Sequence, residues 1–81
     1  MYSEEHYLSK IERNTNVLDK APEQIKEKCI NDIKWARELS ARLNQLDYAQ
    51  REEAINSIHT LMDEDYTLMG FELNPETAKK R

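Results

Sequence analysis

Leu46-Asp47-Tyr48-Ala49-Gln50-Arg51-Glu52-Glu53-Ala54-Ile55-Asn56-Ser57-Ile58-His59-Thr60-Leu61-Met62-Asp63-Glu64-Asp65-Tyr66-Thr67-Leu68-Met69-Gly70 is the stretch on which the fold turns. It contains no proline, and it opens on Asp47 with Gln50 three residues on, the spacing of a capping box. It stops at Gly70, the preferred residue for a left-handed helix terminus, with Phe71 placed to fold back on the last turn. These signals predict a helix over residues 48–69. At about 100° per residue its apolar side chains, Tyr48, Ala54, Ile55, Ile58, Leu61, Met62, Tyr66, Leu68 and Met69, sweep roughly half the circumference. One neighbouring helix covers a narrower stripe than that. The expectation is contact with two other elements, or with one element and a partner.

Upstream, Asp19-Lys20-Ala21-Pro22-Glu23 marks a boundary, because proline suits the first turn of a helix and an early acid complements its dipole. From there Ile25, Cys29, Ile33, Ala36, Leu39, Leu43 and Leu46 recur at steps of three and four, which predicts a second helix over residues 22–44. Trp35 flanks that seam. The break at Asn44-Gln45-Leu46-Asp47 is short enough to force an antiparallel hairpin. A first helix over residues 4–18, capped by Ser3, shows only a narrow apolar side (Tyr7, Leu8, Ile11, Thr15, Leu18) and reads as a lid or arm. Its run Asn14-Thr15-Asn16 consists of poor helix formers, so fraying is expected before Val17. Asn74-Pro75-Glu76-Thr77 can start one more turn, in a basic tail over residues 74–81 expected to be weakly ordered. The expected fold is therefore all-α: one helical domain of three helices dominated by an antiparallel hairpin, with dimerisation as a way to complete a bundle.

Composition supports this class. One glycine and two prolines in 81 residues leave too little turn chemistry for a multi-stranded sheet. A lone core of this size is marginal, and the wide arc offers more apolar surface than a monomer tolerates, so self-association in the absence of a target is expected. The net charge of −4 is unevenly spread: residues 20–42 carry six basic against four acidic side chains, and residues 43–78 carry Arg51 alone against eight acids. The second and third helices are thus oppositely biased, which favours their pairing. Lys79, Lys80 and Arg81 close the chain.

Catalysis finds no support in the motifs. There is no glycine-rich phosphate loop, no serine nucleophile elbow and no clustered histidine, so no cofactor is expected. His59 and Asp63 stand four apart, but two ligands do not make a metal site, and His59 reads as a rim histidine beside a carboxylate. Cys29, the sole cysteine, excludes an internal disulfide and reads as a buried structural thiol. The opening Met1-Tyr2-Ser3-Glu4-Glu5 lacks a basic region followed by an apolar run, and no stretch approaches the ~20 apolar residues of a membrane span. A cytoplasmic protein without membrane insertion is expected.

Two surfaces compete as contact sites. On the back of the second helix Ile30 lies among Lys26, Lys34 and Arg37, an apolar centre with a cationic rim. On the third, Glu52, Glu53, Asn56, Thr60, Asp63 and Glu64 form an acidic strip. Either is also what an ordinary wet face looks like. Asp65 falls inside the apolar arc, so it either meets a cation or hydroxyl from elsewhere or lies at a helix end open to water. The residues chosen for partner contact are Ile30, Trp35, Arg37, Leu61, Asp65, Tyr66 and Leu68. The expected function is that of a small acidic non-enzymatic regulator or inhibitor that binds another protein by helix packing, of the kind found among phage and mobile-element antitoxins, antiholins and inhibitors of host factors. The alternatives are a nucleic-acid binder using Lys26, Lys34 and Arg37, and a structural homo-oligomer; net acidity counts against the former.

Leu43-Asn44-Gln45-Leu46-Asp47, followed by a helix containing Ser57 and His59, resembles the hairpin turn of the Rop family, plasmid-encoded dimeric four-helix bundles that bind paired RNA loops. The resemblance covers under a quarter of the chain. Where that family places RNA-contacting side chains, this chain has Lys20, Glu27, Asn31, Trp35 and Arg42, of which only the basic ends fit, and its first helix has no counterpart there. The shared feature is helical-hairpin grammar.

Overall fold

The computed structural model describes the backbone of residues 4–71 and the side chains of residues 7–71. The Ser3 cap and the basic tail lie outside the described residues. Three helices are present: α1 (Glu4–Val17), α2 (Glu23–Ala41) and α3 (Tyr48–Leu68), with no strand among the described residues. Lys28, early in α2, meets Asp65, late in α3, while Leu43 after α2 meets Arg51 at the start of α3, so these two run antiparallel. Residues 13 and 14 of α1 bond to Met62 of α3 while Tyr7 lies by Ile55, so α1 and α3 run the same way. The order is up, down, up.

Local chemistry fixes the ends. Both limbs of the capping box are formed at α3: the Gln50 amide donates to Asp47 Oδ1 at 2.8 Å, and the Asp47 amide donates to Gln50 Oε1 at 3.3 Å. At the other end Gly70 takes φ +98°, the Gly70 amide donates to Thr67 O at 2.9 Å, and the Phe71 amide donates to Tyr66 O at 3.3 Å. That is a Schellman motif, and its usual apolar contact is present as the Phe71 ring stacked on Tyr66 at 5.1 Å. Two boundaries differ from expectation. Pro22 precedes α2 in an extended conformation and occupies the cap, and α2 ends at Ala41, three residues early. The chain then tightens into a 3-10 turn, Leu43–Gln45, which turns Leu43 into the core. Arg51 ties this turn to the start of α3, donating to Leu43 O at 3.3 Å and Leu46 O at 3.4 Å.

Most of the α3 arc is covered within the chain, while Tyr48 and Leu68 stay exposed. Ala54, Ile55, Ile58 and Met62 are buried against Tyr7 and Ile11 of α1 and against Ile33, Ala36 and Leu43, with Leu61 partly buried at the edge. Two helices cover two flanks, so the arc itself requires no second copy. A smaller cluster, Ala21, Cys29 and Met69 with Val17, Ile25 and Phe71 around it, closes the end where the chain turns from α1 into α2.

α1 is not the outlying arm its polarity suggests. It packs on α3 more extensively than α2 does. The polar residues that make it read as wet are the ones that bind α3. Asn14 is fully buried, and its Nδ2 donates to Met62 O at 2.8 Å. Lys10 Nζ reaches Asp63 Oδ2 at 2.7 Å, and Arg13 Nη2 reaches Met62 O and Asp63 Oδ1, each at 3.2 Å. The helix therefore runs through Asn14-Thr15-Asn16 to Val17 without the expected fraying. Leu8, expected on the inner side, is 47% exposed, because the buried line is Tyr7, Ile11 and Asn14.

Candidate functional site

The α3 sequence sends two carboxylates, Asp63 and Asp65, to opposite flanks, since two residues along a helix are about 200° apart. Asp63 faces α1 and meets Lys10 and Arg13. Asp65 faces α2, with no solvent exposure, and accepts from Lys28 Nζ at 2.9 Å. The same ammonium donates to Asp32 Oδ2 at 2.7 Å, one turn further along α2. Of the two readings of Asp65, the helix end open to water is thus overturned: a lysine from another helix meets it. Asp65 therefore has no surface of its own and is engaged inside the chain.

One ammonium serving two carboxylates sets the electrostatics. Burial, and then the hydrogen bond shared with Asp32, push Asp65 up to about 6 against the pull of Lys28. Partial burial pushes Asp32 up as well, but its hydrogen bonds with Asp65 and Lys28 outweigh that and hold it below the usual carboxylate value. Hydrogen bonds to Asp32 and then Asp65 raise Lys28, so it stays charged. Beside this cluster, burial followed by the field of Asp65 pushes the Cys29 thiol up, which keeps it protonated and unreactive.

The three chosen residues of α2 are divided between two of its faces. Ile30 and Trp35 lie about 140° apart on the helix wheel. Ile30, 45% exposed, stays on the flank of Arg37, whose Nη2 donates to Thr15 Oγ1 of α1 at 2.8 Å. Trp35, 41% exposed, faces α3, where it lines a shallow groove with Leu61, Asn56, Ser57, Thr60, Glu53 and Glu64. A second shallow depression, on α3 alone, adjoins it at Thr60 and Glu64 and is lined by Asp63, Thr67 and Leu68 as well, with Leu68 49% exposed. Trp35, Leu61 and Leu68 are therefore brought into one strip, and Ile30 and Arg37 are excluded from it. Tyr66 is partly buried and internally engaged, with the Arg13 guanidinium 3.8 Å from its ring centroid on one side and Phe71 on the other.

Of the basic residues on α2, Lys26 pairs with Glu23 at 3.4 Å and Arg37 is bonded to Thr15, while Lys34 is exposed. His59 is buried and not at the rim, because it lies on the α1 side of α3 together with Tyr66 and Asp63. No group of three or more potential metal ligands occurs among the described residues, and no described helix is long and apolar enough to cross a membrane.

Lys28 and Asp32 were missed by sequence reasoning, as was Asn14. The signal for Asn14 was positional: it stands three residues after Ile11 and seven after Tyr7, on the buried line. For Lys28 and Asp32 the i, i+4 spacing was visible, but that pattern also describes an exposed surface pair. Comparison of the chain with protein-family models, with curated proteins and with solved structures gives no match.

Proposed function

We propose that this chain is a non-enzymatic regulator or inhibitor of another protein, acting by helix packing, and that the α2/α3 groove takes a basic amphipathic helix of its partner. The observation that carries this reading is that Trp35 and Leu61 line one shallow groove and Leu68 the depression adjoining it, with Glu53 and Glu64 among the lining residues. Leu61 and Leu68 are two turns apart, about 10.5 Å, which matches the spacing of apolar anchors on a docked helix. Neither Glu53 nor Glu64 has an ion-pair partner among the described residues, so each is available to a lysine or arginine across the groove. The acidic balance of α3 works in the same direction.

Retention of proteins from the native host lysate by the immobilised chain, in parallel with Trp35→Ser and Leu68→Glu variants, tests the proposal. The expected result is a protein held by the parent chain, lost from both variants, and carrying a Lys/Arg-rich amphipathic helix. Nuclease-sensitive retention of nucleic acid that is lost on Lys34→Glu would overturn it in favour of the basic flank of α2. A dimer that Leu68→Glu converts to a monomer would instead assign the strip to a second copy.

A further inference from the structure

We infer that Asp32 and Asp65 form a proton-binding clamp that fastens the last turns of α3 to α2, closed when the pair holds one proton and loosened when both carboxylates are charged. The geometry carries this. Asp65 has no solvent exposure, Asp32 is largely covered, and a single ammonium, Lys28 Nζ, lies within 2.9 Å of the first and 2.7 Å of the second. With both acids ionised the site holds two negative charges against one positive. Asp65 Oδ2 is then a buried oxygen without a donor, which costs free energy at a carboxylate shut off from water, even though Lys28 itself is half exposed. A proton on Asp65 removes both defects, because it cancels the excess charge and gives Asp65 a hydroxyl to donate to Asp32.

No other described charge relieves the pair. From α2 the facing groups are Lys28, Asp32 and the neutral thiol of Cys29. The cations that α1 lays on α3, Lys10 and Arg13, are directed to Asp63 on the opposite flank. Asp19 and Lys20, on the 3-10 turn after α1, are exposed.

The clamp sits at a junction. Asp65 precedes Met69 by one turn, and Met69 packs with Cys29 and Ala21 in the smaller cluster that Phe71 edges. Its amide-to-carbonyl ladder also carries the cap, since the Met69 amide donates to Asp65 O at 2.9 Å. Loosening the pair therefore loosens residues 66–71 before it reaches the main core around Ile58. Asp65 is held above the ordinary carboxylate value, near 6, so its contribution to stability is complete below about pH 4 and is lost as pH rises through about 6. Asp32, held low, acts in the opposite sense and only in more acid solution. The inference does not depend on what occupies the groove.

Carboxyl carbon NMR titration of Asp65, with native-state amide exchange of residues 66–71 measured against residues 55–62, tests it in the whole chain. The expected result is Asp65 titrating near pH 6, with the opening constant of residues 66–71 rising about fiftyfold between pH 4 and pH 8. Asp65→Asn, which keeps a permanent donor toward Asp32, is expected to be flat over that range. Asp32→Asn leaves Asp65 alone with Lys28, and Asp65 then titrates closer to its ordinary value; this variant keeps the test open where Asp65→Asn folds poorly. Asp65 titrating in the ordinary carboxylate range in the parent chain, or equal pH slopes in the parent and Asp65→Asn, overturns the clamp.

Discussion

Replacing Asn14 by alanine tests whether a polar residue joins α1 to the rest of the molecule. In the parent chain Asn14 Nδ2 donates to Met62 O at 2.8 Å, and Asn14 Oδ1 accepts from Arg13 Nε at 3.0 Å, in a fully buried site. Alanine removes the bond across the helix interface, worth about 1 kcal/mol net. It also leaves a void of three heavy atoms and a loosened Arg13, adding about 1.5 kcal/mol. Against this, alanine is the better helix former by about 0.5 kcal/mol. The balance is a loss of about 2 kcal/mol, a fall of roughly 10 °C in Tm for a chain of this size. Urea and thermal unfolding at neutral pH followed by circular dichroism measure it. Asn16→Ala is the control: Asn16 is exposed, so the same exchange two residues on gains up to about 0.5 kcal/mol from propensity alone. If the two variants shift stability alike, or Asn14→Ala costs under about 0.5 kcal/mol, the assignment of Asn14 as the polar joint is wrong.

Other perturbations separate the remaining claims. Gly70→Ala meets no atom within 4 Å of the added Cβ, so its cost is backbone strain at φ +98° alone, about 1–2 kcal/mol in thermal unfolding. Asp47→Ala removes the acceptor of the Gln50 amide and is expected to cost about 1 kcal/mol, with faster amide exchange confined to the first turn of α3. Leu61→Glu places a carboxylate against the main core and lowers stability by about 2–3 kcal/mol. Leu68→Glu, at an exposed site, leaves stability within about 0.5 kcal/mol while abolishing partner retention.

Much of the candidate groove was legible one residue at a time and not as a surface. Trp35 stood out as flanking the α2 seam and Leu61 and Leu68 as members of the wide α3 arc, but Tyr66 belonged to the same arc and Ile30 stood out on the back of α2. Which of them share a face depends on how α2 and α3 are rotated against one another. That rotation is tied in part to Lys28–Asp65, an ion pair spanning 37 positions in the chain. Asp65 itself was visible as a carboxylate inside an apolar arc. Its partner was not, because an exposed Lys28–Asp32 pair and a half of a buried cluster have the same spacing.

Periodicity, the Asp47–Gln50 box, Pro22 and the Gly70–Phe71 terminus are local, written within a few residues of where they act, and together they determined that this chain forms three helices and approximately where each begins and stops. What only the tertiary structure decided is how fully α1 joins the bundle and which polar side chains are buried with it. α1 became a full member of the bundle because Asn14, Arg13 and Lys10 found a carbonyl and a carboxylate on α3. A polar side chain carries no mark in sequence of whether water or a distant backbone group will satisfy it, and the sign of its contribution depends on that partner.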